Sequence, residues 1–366
     1  MKKLSHYILL CIILQFVFTN CDVHEFPKED QERIPFVLNL KFRKAMPLGK
    51  EITITNQTRA RALATTDNDY VMRCIVNLYE INSEGVRGEI DTTFIFTIPD
   101  INTLDYVANL ALREGTYDCR VWADYVDKEN DDDKYYDTRD FSEIIFANKD
   151  NYIGSCEYRD AFKGSTTFTV NNPARYLGSA IDSINNSASI DLERPMGKFK
   201  FVSTDVDKFI DNLAETMKKQ GLLQSANEND TTSLREQLLR SIDLEEFTVL
   251  FRYVGFMPCS FNMFTDKPAD SWTGMSFTSK MYIDEEGELV LGYDYIFVNG
   301  SETTLSILLE IYNCDNVLIS SSNPIDVPIE RNRLTKVKGN FLTTKKEGGI
   351  IINPSYDGDD YNIEIY

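Results

Sequence analysis

From Ile34 onward, apolar residues fall at every second position in run after run. Phe36, Leu38, Leu40 and Phe42 alternate with Val37, Asn39 and Lys41. Cys74, Val76 and Leu78 share one face, as do Phe94, Phe96 and Ile98, and then Tyr117, Cys119 and Val121. The spacing recurs at Phe199 and Phe201, from Phe247 to Tyr253, Met257 to Met263, Leu289 to Phe297 and Leu305 to Ile311. Side chains of a strand point alternately to its two faces, so such runs, bounded by Gly, Asn, Asp and Pro, predict strands with one buried face. No helical period intervenes between most of them, which predicts antiparallel sandwiches and not a parallel sheet.

Helical spacing is confined to about 205–243. Val206, Phe209, Ile210, Leu213 and Met217 fall on one stripe, with cap candidates at Ser203 to Asp205 and a stop at Gly221. Leu234, Leu238, Leu239 and Ile242 predict a second helix. The stretch from Asn171 to Ser189 is rich in Asn and Ser and weakly patterned, as a boundary would be. The expected fold is mostly β: two tandem β-sandwich domains, 34–175 and 190–366, with the helical insertion in the second.

Ahead of this body, Lys2 and Lys3 precede an apolar run from Tyr7 to Phe18. That run is shorter than the roughly 20 apolar residues that cross a bilayer. It reads as a secretory signal over 1–20. The sequence Phe18-Thr19-Asn20-Cys21 resembles a bacterial lipobox, which makes Cys21 the expected lipidation site and 21–33 a charged tether. Several acyl chains anchor where one does not, so the expected partner is the outer membrane and the expected location the cell surface.

Composition enters by exclusion. Of two histidines in 366 residues, His6 lies in the signal and His24 beside Cys21. A histidine-free body excludes Ser-His-Asp and Cys-His catalysis and His-ligated metal sites. The 58 acidic against 38 basic residues, a formal charge of -20, argue against nucleic acid. Neither enzymatic activity nor a cofactor is expected. Cys74, Cys119, Cys156, Cys259 and Cys314 show no CxxC spacing, and the three on apolar strand faces predict buried thiols.

Two stretches carry candidate chemistry. The acidic run from Asp124 to Asp140 contains Asp131, Asp132 and Asp133, the weak candidates for a hard cation. It lacks EF-hand spacing, so a solvated hairpin loop without metal is the expectation. Trp122, with Phe261, Phe264 and Trp272 of the long connection 259–274, forms the candidate ligand or partner surface, a glycan among the ligands. Trp122 lies opposite Cys119 on its strand, so it is either exposed or packed on a second layer. The connection reads equally as a loop covering a sheet edge.

Several segments together point to a family: "CDVHEFP" (21–27), "YDCRVWADYVD" (117–127), "KYYDTRDFSEI" (134–144), "ERPMGKFKFVSTD" (193–205), "FRYVGFMPCSFNMFTDKPADSW" (251–272) and "NPIDVPIERNRLTKVKGNFLT" (323–343). They resemble bacteroidal fimbrillin-like surface lipoproteins, similar to the fimbrillin-A-associated anchor proteins of major and minor fimbriae. The resemblance implies transthyretin-like sandwiches and a lipidated subunit that attaches to or caps a pilus, with fimbrial subunits or other surface proteins as partners. The resemblance also implies proteolysis at an Arg, which in such pilins removes an N-terminal strand and opens a groove; Arg59 and Arg61, between plausible strands, are the candidate sites. Asp91-Thr92-Thr93, Asp182-Ser183-Ile184 and Asp230-Thr231-Thr232 resemble acceptor triplets of bacteroidal O-glycosylation. The expected function is a fimbrial anchor or accessory subunit that contacts proteins by strand addition at a sheet edge. A glycan-binding surface lipoprotein is the alternative.

Overall fold

The computed structural model describes residues 32–54, 69–100, 102–130, 132–175, 185–219 and 243–344. The first part of the chain forms β1 (Ile34–Phe42), β2 (Leu48–Ile54), β3 (Tyr70–Ile81), β4 (Arg87–Ile98), β5 (Asp105–Leu112) and β6 (Gly115–Asp127). Two short pieces follow, β7 (Tyr136–Asp137) and β8 (Ile144–Phe146), then β9 (Ala161–Val170) and β10 (Ser187–Leu192). Next come β11 (Met196–Ser203), the helix α1 (Val206–Lys219) and β12 (Thr248–Tyr253). A folded arm contains β13 (Phe256–Pro258), β14 (Ser260–Asn262), β15 (Lys267–Pro268) and β16 (Ser271–Thr273). The chain then continues through β17 (Ser276–Lys280), β18 (Tyr282–Ile283), β19 (Leu289–Phe297), β20 (Glu302–Tyr312), β21 (Leu318–Ser321), β22 (Ile325–Glu330) and β23 (Leu334–Gly339). The protein is mostly β, as its alternation predicts.

In the first sandwich a three-stranded sheet, ordered β10-β1-β5, faces a four-stranded one, β4-β3-β6-β9. The alternating residues of β1 meet Cys74, Val76 and Leu78 of β3 and Cys119 and Val121 of β6 in one apolar core. The β3–β4 hairpin is set by Asn82, whose Oδ1 accepts from the Glu84 and Val86 amides, and by Gly85 at φ 79°. The second sandwich packs β18-β19-β11-β23-β2 on β17-β12-β20-β21, with β22 also paired to β20. Phe199, Phe201, Phe251, Ile307 and Leu309 lie in its core.

Three pairings depart from the antiparallel expectation. β1 runs parallel to β10, and β23 parallel to both β11 and β2. Parallel neighbours need a long crossover, and passage of the chain between the two sandwiches supplies it. Strands are also shared differently from the expected division at 175 and 190. β2 joins the second sandwich through β23, and β10 closes the first through β1. Alternation reveals which face of a strand is buried, not which neighbour it pairs with.

The helix forms where predicted. Phe209 and Ile210 are buried, and Phe209 packs edge-on against Phe247 at 5.5 Å. Asp205 does not cap with its side chain: its carboxylate accepts from the amides of Leu342 and Thr343, tying the helix start to the end of the second sandwich. The predicted second helix lies outside the described residues.

Candidate binding surface

The aromatic candidates do not form an exposed platform. Trp122 is fully buried, and it belongs to the second core although its strand belongs to the first sandwich. It packs edge-on against Tyr136 at 5.3 Å, and its Nε1 donates to Asp124 at 3.3 Å. Of its two expected settings, exposed or packed on a second layer, the structure has the second. The 259–274 connection is not an open loop. β13 pairs with β16, and β14 pairs with β8 and β15, in small sheets outside the two sandwiches. Phe261 is buried and stacks on Phe297 at 5.5 Å, and Trp272 is buried. Phe264 is half-buried beneath Arg87, whose guanidinium carbon lies 3.8 Å from the ring centroid, and edge-on to Tyr79 at 5.4 Å. Trp122 and Phe264 thus lie where the two sandwiches meet, and Phe261 and Trp272 lie in the second core.

The acidic run is largely exposed, as a loop between β6 and β7, and several of its carboxylates are held in ion pairs. Arg73 Nη2 lies 2.7 Å from Asp124 and 2.8 Å from Asp133. Asp133 also accepts from the Thr138 amide and hydroxyl at 2.8 and 2.7 Å. The Asp132 amide donates to Asn130 at 3.0 Å. Lys134 pairs with Asp127 and Arg139 with Asp137. Asp131 lies outside the described residues. A further acidic group, Asp284, Glu286 and Glu288, was not singled out from sequence. Its charge is already met by Lys200 on Asp284 at 2.7 Å, Lys336 on Glu286 and Glu288 at 2.6 and 2.8 Å, and Lys338 on Glu288 at 3.0 Å. Burial works against the Glu288 charge, yet Lys336 and Lys338 hold its carboxyl below the ordinary value.

Cys74, Cys119 and Cys259 are buried free thiols, Cys156 is half-buried and Cys314 exposed. Thr92 of the first triplet donates its hydroxyl to Asp91 at 2.9 Å. The other two triplets, Cys21, Arg59 and Arg61 lie outside the described residues.

Among the described residues, one flank of the first sandwich is left open. The opposite flank is sealed. Lys163 and Glu193 exchange backbone hydrogen bonds of 2.8 and 3.0 Å, and Gly164 sits so close to β10 that a Cβ would lie 2.5 Å from Ile190 and 2.7 Å from the Asp191 carbonyl. At the open flank β4 and β5 end their sheets, each with one strand neighbour among the described residues. Because four strands face three, β4 overhangs. Its inward Phe94 and Phe96 are half-buried, whereas Cys74, Val76 and Leu78 of β3 are fully covered. Tyr106 of β5 stacks on Phe96 at 5.1 Å and lines the same opening. Ile95 is 55% exposed and Val107 is 54% exposed on the outer faces.

The two halves of β4 differ. From Arg87 to Asp91 it carries three charges, and its ladder with β3 slips at Leu78/Tyr79 and Tyr79/Ile81. From Thr92 to Ile98, Thr-Thr-Phe-Ile-Phe-Thr-Ile, it is uncharged and pairs in unbroken register with Leu78 to Met72. Edge strands are usually blunted by charge, proline or bulges. This half has none of these, and its composition is that of a strand which readily recruits another. The alternation at Phe94, Phe96 and Ile98 was legible as a strand. That it is an edge was not.

A model described as a family of unknown function (DUF6562) matches residues 33–366. No curated protein matches the sequence. Among solved structures, a candidate polysaccharide-binding protein from Bacteroides thetaiotaomicron is similar at 10% identity, with 79% of this chain and 80% of that one covered and a TM-score of 0.39. A candidate cell adhesion protein from Bacteroides eggerthii is similar at 12% identity, covering 92% and 94%, with a TM-score of 0.39. The fimbrial anchor protein Mfa2 from Porphyromonas gingivalis is similar at 7% identity, covering 79% and 82%, with a TM-score of 0.34.

Proposed function

The chain belongs to the family of unknown function DUF6562, and from that starting point we propose that it is a lipid-anchored surface subunit that holds a fimbrial or other surface protein by strand addition. The observation that carries the reading is the open flank of the first sandwich. There an uncharged edge strand of regular register overhangs half-covered Phe94 and Phe96. Added strands gain affinity from main-chain hydrogen bonds and specificity from contacts with alternate side chains, and this flank offers an unpaired strand edge beside half-covered aromatic rings. The segments that resemble fimbrillin-like lipoproteins, and the lipobox-like setting of Cys21, support the membrane-attached role. A glycan platform has less support, since Trp122, Phe261 and Trp272 are buried.

The test compares wild-type chain with Ile95→Lys and Val107→Lys. Both positions are more than half exposed, so each change stays within about 0.5 kcal/mol of wild-type stability while placing charge beside the edge. Native pull-down from cells is expected to recover a fimbrial or surface subunit with wild type and lose it with both variants. Equal recovery with all three would contradict strand addition at this flank. Separately, Cys21→Ala is expected to release the protein from the membrane fraction, and retention there would contradict the lipid anchor.

A further inference from the structure

Residues 34–54 run as one extended segment through both sandwiches. Its first half, β1, is the middle strand of its sheet. Ile34 to Lys41 register against Leu112 to Asp105 of β5, and Val37 to Phe42 against Ser187 to Leu192 of β10. Its second half, β2, registers from Leu48 to Ile54 against Leu334 to Gly339 of β23. The bend between them is gripped by Arg194. The Arg194 Nη2 donates to the Lys44 carbonyl at 2.7 Å, and Nη1 to those of Arg43 and Ala45 at 3.2 and 3.3 Å. The guanidinium is 5% exposed as a residue and is itself held from both sides. Its Nε and Nη2 donate to Asp160 beside β9 at 2.7 and 2.8 Å, and its Nη1 to Asn332 beside β23 at 3.1 Å. Charge-assisted bonds of this kind are roughly twice as strong as neutral ones, and here they join both sandwiches to the same bend.

We propose that this segment is a load-bearing strap with Arg194 as its lock. Tension that enters through the residues before Ile34 pulls β1 along its own axis, against neighbours on both sides. Its ladder bonds are then loaded together in shear, instead of opening one at a time as they do when an edge strand is peeled. Because Arg194 ties residues 43–45 to Asp160 beside β9 and to Asn332 beside β23, β1 cannot slide past its neighbours until the lock that joins both sandwiches has broken. The strap therefore makes two cores fail as one mechanical unit. The biological use rests on the reading that the N-terminus is the anchored end. The mechanical property belongs to the fold and is measured without membrane or partner.

The test is single-molecule force spectroscopy on the full chain, pulled between peptide-tag handles at its two termini. Wild type is expected to rupture in one event whose released length contains both sandwiches. Arg194→Gln is expected to split this into two smaller events at lower force. Arg252→Gln, which removes a surface pair with Glu310, should leave the trace unchanged. Two separate low-force events in wild type would overturn the proposal, and so would an Arg194→Gln trace identical to wild type. If Arg194→Gln does not fold, the wild-type trace still decides. A failure here with Cys21-dependent membrane attachment intact would remove the strap and leave the proposed function standing.

Discussion

Replacing Trp122 by Ala separates a ligand-contacting tryptophan from one that fills a seam. A buried Trp hides about 150–250 Å², which at about 25 cal/mol per Å² corresponds to about 4–6 kcal/mol. Measured truncations of buried aromatics cost about 3–5 kcal/mol, because the cavity collapses only in part. The lost Nε1 bond adds little, since it is 3.3 Å long and Asp124 keeps Arg73 at 2.7 and 2.9 Å. We expect about 4 kcal/mol of destabilisation, near the middle of that range. Equilibrium urea unfolding followed by circular dichroism reads it as a lower midpoint at unchanged slope. Phe256→Ala, at a ring 75% exposed, is the control and should stay within about 0.5 kcal/mol. A loss below about 1 kcal/mol for Trp122→Ala, the size of a surface change, would refute the argument that this side chain joins the two cores.

Three further outcomes follow from ionisable groups of the two halves. Arg159 and Asp294 form a buried ion pair between the halves, with Tyr152 and Tyr253 donating to Asp294 at 2.8 and 2.6 Å. Arg159→Met should cost about 3–5 kcal/mol, with much of that recovered when Asp294→Leu is added; a double variant as unstable as the single one would contradict the pairing. Burial pushes the Cys119 and Cys259 thiols up to about 12, so a disulfide reagent without reductant should label Cys314 in the native protein and Cys74, Cys119 and Cys259 only in urea. Missing thiols in urea would instead reveal a disulfide. Burial opposes the Asp266 charge, but Lys163 and Arg331 hold its carboxyl below the ordinary value. Its stabilising contribution is thus present above the unfolded value of about 4 and is lost as pH falls through the lower folded value. Asp266→Asn should flatten the acid limb of the stability profile below about pH 4, and an unchanged limb would remove this pair from the account.

The strands were legible because burial imposes period two locally. Phe36, Leu38, Leu40 and Phe42 all reach the core that their spacing predicts. Partners were not legible, because pairing depends on where distant chain returns. Nothing near Leu48 indicates that β2 leaves the first sandwich for β23. Trp122 shows the same limit. Its face was readable from Cys119, but what covers that face, Tyr136 and the core it shares with the second sandwich, was not. The aromatics at 261, 264 and 272 were visible as a cluster, but their separate settings, Phe261 on β14 beside β8, Phe264 against Tyr79 and Trp272 on β16 beside β13, were not. The open flank had one readable sign, the uncharged run from Thr92 to Ile98, which becomes informative only once β4 is known to be an edge.

Hydrogen exchange reads strand addition at this edge residue by residue. In the free protein, amides of Thr92 to Ile98 that face β3 should be protected and those facing the open side should exchange fast. With a captured partner bound, the fast amides of this stretch should become protected together, while those of β9 on the sealed flank stay as they were. If the partner binds and the open-side amides of β4 and β5 still exchange as in the free protein, strand addition at this flank is contradicted.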